Sequence, residues 1–199
     1  MSLFSEEPYS LNLPDAAVTY YKNMLTEEQA ASYYETLLEE ISWRHDDIKV
    51  FGKVYPQPRL TALYSSNSKS YSYSNITMVP EPFTDALQAI KKRVEEIAGV
   101  TFTTCLLNLY RDGNDSNGWH ADDEKELGNN PIIASVSLGA PRLFKFRNKV
   151  DKTQQAKLIL EPGSLLLMQG STQHHWHHQL PKTAKKVAPR INLTFRIIA

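Results

Sequence analysis

Four of the six histidines in this chain, His174, His175, His177 and His178, fall within the single run QHHWHHQLP. Upstream, His120 and Asp122 stand two residues apart in GWHADDE, so in an extended segment both side chains point to one side. Imidazole is a common ligand for iron, zinc and copper. Two imidazoles and one carboxylate on one face of a metal leave positions open for a co-substrate and dioxygen. A surface loop with a chance histidine cluster would give the same letters, and spacing alone does not choose among the four histidines.

The run APRINLTFRII offers a second piece of chemistry. Arg190, Asn192, Thr194 and Arg196 alternate with Ile191, Leu193, Phe195 and Ile197. In a strand this puts two guanidiniums, an amide and a hydroxyl on one face and only apolar groups on the other. Such a strand either turns its arginines to water or builds a pocket for a small dicarboxylate, because the guanidinium fork matches a carboxylate bidentately. A 2-oxo diacid that chelates a metal through its oxo-acid end needs a cation for its far carboxylate. Arg196, with Arg190 and Thr194 on the same face, would supply it. Asn108 and Tyr110 alternate with Leu107 and Leu109 and offer an amide and a phenol to the same cavity.

The elements that must hold these groups can be read from periodicity. Thr26, Glu27, Glu28 and Gln29 form a capping box, and Ala30, Tyr33, Tyr34, Leu37, Leu38 and Ile41 follow at helical spacing, which predicts a helix over 27–41. A second helix starts near Pro82, with Phe83, Leu87, Ile90, Val94 and Ile97 on one stripe and Gly99 as its stop. Strands are expected near 102–110, 132–138, 142–147, 156–160, 164–169 and 190–198, with further β-like pieces in IKVFGKVY and SYSYSNITMV. Short strands without intervening helices argue for a β-sandwich or barrel. The expected division is an irregular arm over 1–25 and one domain over 26–199, with helices and recognition elements in 26–100 and the β core in 101–199.

The composition limits the alternatives. Lys+Arg and Asp+Glu both number 22, so nucleic acid could be bound only through a local basic patch. Positive charge gathers in Arg142, Lys145, Arg147, Lys149 and Lys152, and again in Lys182, Lys185 and Lys186. The one cysteine, Cys105, rules out an internal disulfide and sits in an apolar run. The acidic N-terminus lacks the pattern of a signal peptide, and no apolar run is long enough to span a bilayer. A soluble intracellular protein is expected, in the cytoplasm or, in a eukaryote, the nucleus.

The succession NLYRDG, WHADDE, PIIASVSLGAPRLFKFR, EPGSLLLM, HWHHQLP and APRINLTFR closely resembles the AlkB family of 2-oxoglutarate- and Fe(II)-dependent dioxygenases, nearest to its duplex-DNA repair branch. The resemblance covers about residues 48–199. It implies an α+β, mostly β fold with a double-stranded β-helix (jelly roll) core and two supporting N-terminal helices. It also implies His120, Asp122 and His178 as iron ligands, with HW-x-H-x-LP selecting His178. The 2-oxoglutarate pocket would be Asn108, Tyr110, Arg190, Asn192, Thr194 and Arg196. The implied reaction is oxidative dealkylation of N-methylated bases such as 1-methyladenine and 3-methylcytosine in DNA. It consumes O2 and 2-oxoglutarate and releases succinate, CO2 and formaldehyde.

A base inside a duplex cannot reach a buried iron, so the substrate would be DNA with a flipped alkylated base, met by a monomer. Phe51, Gly52 and Lys53 match that branch's hairpin, whose aromatic tip fills the gap; a turn with Phe51 packed on the core is the plainer reading. Tyr71, Ser72 and Tyr73 fall where the base pocket is lined, and Asp123 and Glu124 could accept hydrogen bonds from the base. The same chemistry on RNA or a protein side chain, and a non-catalytic nucleic-acid binding module, are the alternatives.

Overall fold

The computed structural model describes residues 7–50, 53–67, 71–73 and 76–198. In chain order it contains β1 (Tyr9–Ser10), β2 (Ala17–Tyr21), α1 (Glu27–Glu40), β3 (Asp47–Val50), β4 (Lys53–Pro56), β5 (Leu60–Ser65), β6 (Tyr71–Tyr73), β7 (Ile76–Met78) and α2 (Asp85–Ala98). The second half contains β8 (Thr104–Tyr110), β9 (Asn117–His120), β10 (Ile133–Gly139), β11 (Arg142–Asn148), β12 (Gln155–Leu160), β13 (Ser164–Gln169), α3 (Thr172–His175), β14 (Trp176–Leu180) and β15 (Arg190–Arg196). The fold is mostly β. A seven-stranded sheet in the order β1-β2-β13-β10-β15-β8-β5 faces a four-stranded sheet in the order β12-β11-β14-β9, the two walls of a jelly roll. Small antiparallel pairs β3-β4 and β6-β7 stand apart from both. No described helix is long and apolar enough to cross a membrane.

Side-chain alternation divides the large sheet into two faces. On β15, Ile191, Leu193 and Phe195 join one apolar cluster with Leu37, Leu87, Ile90 and Val94 from the helices. The other cluster lies between the sheets, where Leu106, Ile133, Leu166 and Met168 meet Phe144, Phe146, Trp176 and Leu180. Arg190, Asn192, Thr194 and Arg196 therefore point between the sheets, and each is less than a tenth exposed. The solvent-facing reading of those arginines is excluded.

Local signals explain both long helices. Thr26 Oγ1 accepts from the Gln29 amide and Gln29 Oε1 accepts from the Thr26 amide, which closes the capping box. Thr84 Oγ1 caps α2, two residues later than Pro82, and Gly99 ends it in the left-handed conformation at φ 70°. Cys105 is fully buried and its thiol is pushed up by desolvation, which leaves it unreactive.

The expected irregular arm over 1–25 does not hold at 17–21. There β2 pairs with β13 along five residue pairs and buries Val18 and Tyr20 in the inter-sheet cluster. The alternating burial along AVTYY fits a half-buried strand.

Gly139 ends β10 opposite Arg190. Its φ is +81°, and a Cβ there would lie 2.6 Å from the Pro189 carbonyl oxygen and 2.8 Å from Tyr34 Cε2. Left-handed strain and the clash act together, so Gly139→Ala should cost about 2 kcal/mol or more in chemical denaturation. A neutral result would show that α1 and the β10–β11 connection can shift freely.

Candidate active site

Three elements bring the metal-binding residue types to one point. His120 closes β9, His178 lies in β14, and the two are register partners with ring centroids 4.2 Å apart. Asp122 follows β9 and is held by its backbone N–H, which donates to Gln173 Oε1 at 2.9 Å. The ligand atoms of His120, Asp122 and His178 all lie within 4.8 Å of one another. His174, His175 and His177 lie outside this group. The sequence pattern selects His178, and the geometry agrees.

The donor set suits a divalent metal on its own chemistry. His120 Nδ1 donates to the Gly118 carbonyl at 2.8 Å, so its Nε2 carries the lone pair that a metal needs. His178 Nδ1 is buried without a hydrogen-bond partner, and Phe144 stacks on the ring at 5.4 Å. Burial lowers the pKa of both imidazoles, that of His178 to about 3, so both are neutral as ligands must be. The 3.9 Å approach of His178 Nε2 to Asp122 Oδ2 is thus not an ion pair. Burial alone would raise the Asp122 pKa, but the charge and hydrogen bond of Arg196, together with the two imidazoles beside the carboxylate, outweigh it, and the net direction is down. Two neutral imidazoles and an ionised carboxylate converge.

The same cavity is lined by Asn108, Tyr110, Arg190, Asn192, Thr194 and Arg196. Arg196 stands at the metal end, with Nη2 2.6 Å from Asp122 Oδ1. That differs from the expectation that Arg196 takes a far carboxylate. Six residues of strand, roughly 20 Å, separate it from Arg190. Arg190 is 1% exposed, donates through Nη2 to Ser137 Oγ at 2.8 Å, and lies over the Tyr110 ring at 5.4 Å. Its Nε has no hydrogen-bond partner, and burial lowers its pKa to about 10, so it stays charged at neutral pH. Between the two arginines, Asn192 Nδ2 donates to Ser135 Oγ and to the Val136 carbonyl, and Thr194 Oγ1 donates to Asn192 Oδ1.

Arg59 is an addition that sequence reasoning missed. It is 4% exposed, and its Nε donates to Asn108 Oδ1 at 2.7 Å while Nη1 donates to the Ser116 carbonyl. Asn117 was missed too; its amide contacts His120 Nε2 at 3.2 Å. The recognition residues are more dispersed. Phe51 and Gly52 lie outside the described residues, and Lys53 opens β4. Tyr71, Ser72 and Tyr73 form β6, paired with β7. Asp123 is exposed and accepts from Lys149 Nζ at 2.7 Å. Glu124 is half-buried, one carboxyl oxygen has no hydrogen-bond partner, and burial raises its pKa.

The comparisons agree with this geometry. The family model described as 2OG-Fe(II) oxygenase superfamily matches residues 17–196. The Homo sapiens protein named alpha-ketoglutarate-dependent dioxygenase alkB homolog 3 is 40% identical across 97% of this chain and 71% of its own length. The Bos taurus DNA oxidative demethylase ALKBH2 is 42% identical across 76% of this chain and 57% of its own. A solved structure titled "The structure of OsALKBH1" superposes with a TM-score of 0.66 at 16% identity, covering 96% of this chain and 100% of that one, and so shares the fold.

A histidine whose pKa is lower folded than unfolded binds more protons in the unfolded chain. For His178 that difference runs from 6.5 down to about 3, so metal-free stability is present above 6.5 and lost as pH falls through this window. The denaturation midpoint should drop between about pH 6.5 and 5, and His178→Gln should flatten the decline. Equal slopes for both proteins would show that His178 is not held neutral by burial.

Proposed function

The chain belongs to the AlkB family of the 2OG-Fe(II) oxygenase superfamily, a family of 2-oxoglutarate-dependent dioxygenases, and from that premise we propose that it removes N-methyl groups from nucleic-acid bases. The observation that carries this reading is the enclosed cavity with neutral His120 and His178, ionised Asp122 and the buried guanidinium of Arg190. His120, Asp122 and His178 would hold Fe(II). Asn108, Tyr110, Arg190, Asn192, Thr194 and Arg196 would hold 2-oxoglutarate. Bound there, the metal, O2 and the oxo-acid supply the oxidising power to hydroxylate a methyl carbon. One oxygen atom of O2 would enter the oxo-acid as it loses CO2 and becomes succinate, and the other would become the hydroxyl on the methyl carbon. The hydroxymethyl group would then leave the base nitrogen as formaldehyde with loss of the hydroxyl proton.

The chain's own residues divide the remaining tasks. Arg190 takes the far carboxylate, because it is a buried cation with a spare donor remote from the metal ligands. Arg196 neutralises Asp122 and keeps the ligand ionised. Phe144, stacked on His178, shields the ligand from water. The helices brace the jelly-roll core, and the β3-β4 and β6-β7 pairs of 26–100 serve as the recognition region, while β5 of the same stretch joins the core formed by 101–199.

Relatives named as DNA oxidative demethylases support DNA as the substrate, with 1-methyladenine and 3-methylcytosine as the target class. Both are cationic, and Asp123 and Glu124 beside the metal group suit a cation. The base is flipped from the stack to reach the cavity. Phe51, with Gly52 and Lys53, fills the gap, and Tyr71, Ser72 and Tyr73 line the base pocket. The protein acts as a monomer.

Succinate release should be stimulated by methylated DNA and not by methylated peptide; stimulation by peptide alone would overturn the substrate class. Phe51→Ala should depress turnover of duplex far more than of single strands, and equal losses would remove the wedge. Arg190→Met should raise the KM for 2-oxoglutarate roughly 30-fold or more while metal affinity stays near wild type. Arg196→Met should instead destabilise the metal-free protein by about 3 kcal/mol, with partial recovery on adding Mn(II). The reverse pattern would exchange the two roles.

A further inference from the structure

The outer face of the four-stranded sheet carries charge that the catalytic cavity does not use. Phe144 and Phe146 of β11 point between the sheets, which turns Leu143, Lys145 and Arg147 outward. The structure sorts the basic residues of this region. Lys149 is paired with Asp123, and Lys152 Nζ donates to the Asn148 and Lys149 carbonyls. Arg147 lies over the Trp119 ring at 4.3 Å. Arg142 is buried and gives its donors to the carbonyls of Asp112, Asp115 and Pro181.

Lys145, Lys182 and Lys185 form no ion pair with a described carboxylate. With Arg142 they line one cavity of about 360 Å³, large enough for a small ligand, whose walls include Leu143 and Ile159. No carboxylate lines it. The Asp112 and Asp115 carboxylates act on Arg142 only through their charge, and Asp115 is already held by Arg111 at 2.8 Å. The register adds a second observation. Lys145 stands directly opposite Lys157, an exposed lysine on β12, and like charges so placed repel. An anion between them removes the repulsion.

We propose that this cavity is a subsite for the phosphate backbone of the nucleic-acid substrate, an inference that rests on the substrate class argued above. The apolar walls accept the sugar and the lysines accept the phosphate. The path is short. Lys145 is the chain neighbour of Phe146, the register partner of His178, so cavity and metal site lie on opposite faces of one sheet.

The test replaces Lys145, Lys182 and Lys185 together by Gln and measures affinity for an unmethylated duplex of about two helical turns against salt. Removing one lysine–phosphate pair lowers the slope of log affinity against log salt by about 0.9, so the slope should fall by roughly 2 to 3. The matching triple Lys→Arg variant should keep it, and both should turn over a methylated trinucleotide like wild type. An unchanged slope with trinucleotide turnover intact overturns the subsite. Thermal stabilisation of wild type by inorganic phosphate without any change in slope makes it a small-anion site, which also overturns it. Failure of wild type on every methylated oligonucleotide would instead overturn the substrate class.

Discussion

One carboxylate buried between two sheets sets the terms for everything around it. Asp122 is 1% exposed, and an ion taken out of water at such depth loses several kcal/mol of hydration even after the protein relaxes. Arg196 restores part of that through a 2.6 Å contact, and Arg196 is itself buried, so its charge also depends on Asp122. Neither group is stable there alone. The pair can exist only because β15 crosses the middle of the large sheet, locked between β10 and β8, while Gln173 fixes the backbone of Asp122. The metal-binding geometry follows from this. A carboxylate kept ionised beside two imidazoles kept neutral is a ligand set that does not first have to shed protons.

Arg190 shows the opposite use of burial. Its charge faces a phenol ring and a hydroxyl and has no described carboxylate as a hydrogen-bond partner. A guanidinium in that position is costly in itself and strongly selective for an anion that reaches it. The two arginines of one strand, alike in sequence, therefore differ in kind: one is paired with a buried carboxylate, and the other has no described carboxylate as a hydrogen-bond partner.

Much of this was legible in the sequence because β15 keeps strict period-2 alternation over its whole length, and both of its faces are buried for different reasons. His120 and Asp122 were legible because two residues apart in extended backbone share a side. The role of Arg196 was not. Alternation gives the face but not the end of the cavity at which a side chain meets a partner seventy-four residues earlier. Arg59 was missed although Arg59, Thr61 and Leu63 alternate with Leu60, Ala62 and Tyr64 in the same manner. β1 and β2 were missed because they fell in the expected arm, and β5 because it fell in the expected loop between IKVFGKVY and SYSYSNITMV. In β9 and β14, polar and histidine-rich runs such as WHHQL hide an alternation of Trp176, His178 and Leu180 toward the interior.

Net neutrality is the remaining point, and the fold changes its meaning. Equal numbers of acidic and basic residues say nothing of where they lie. Helix α1 carries Glu27, Glu28, Glu35, Glu39 and Glu40 with no lysine or arginine, and it packs on the outside of the large sheet. The cavity-lining lysines lie on the outside of the small sheet, across the whole thickness of the sandwich. Helix α2, in the same cluster as α1, adds Lys91, Lys92 and Arg93, so the acidic excess on that side belongs to α1. A polyanion approaching such a molecule is turned toward one face before it touches, and the effect fades within a Debye length of about 8 Å at physiological salt. Zero net charge is therefore compatible with a local basic surface on which a phosphate backbone would lie.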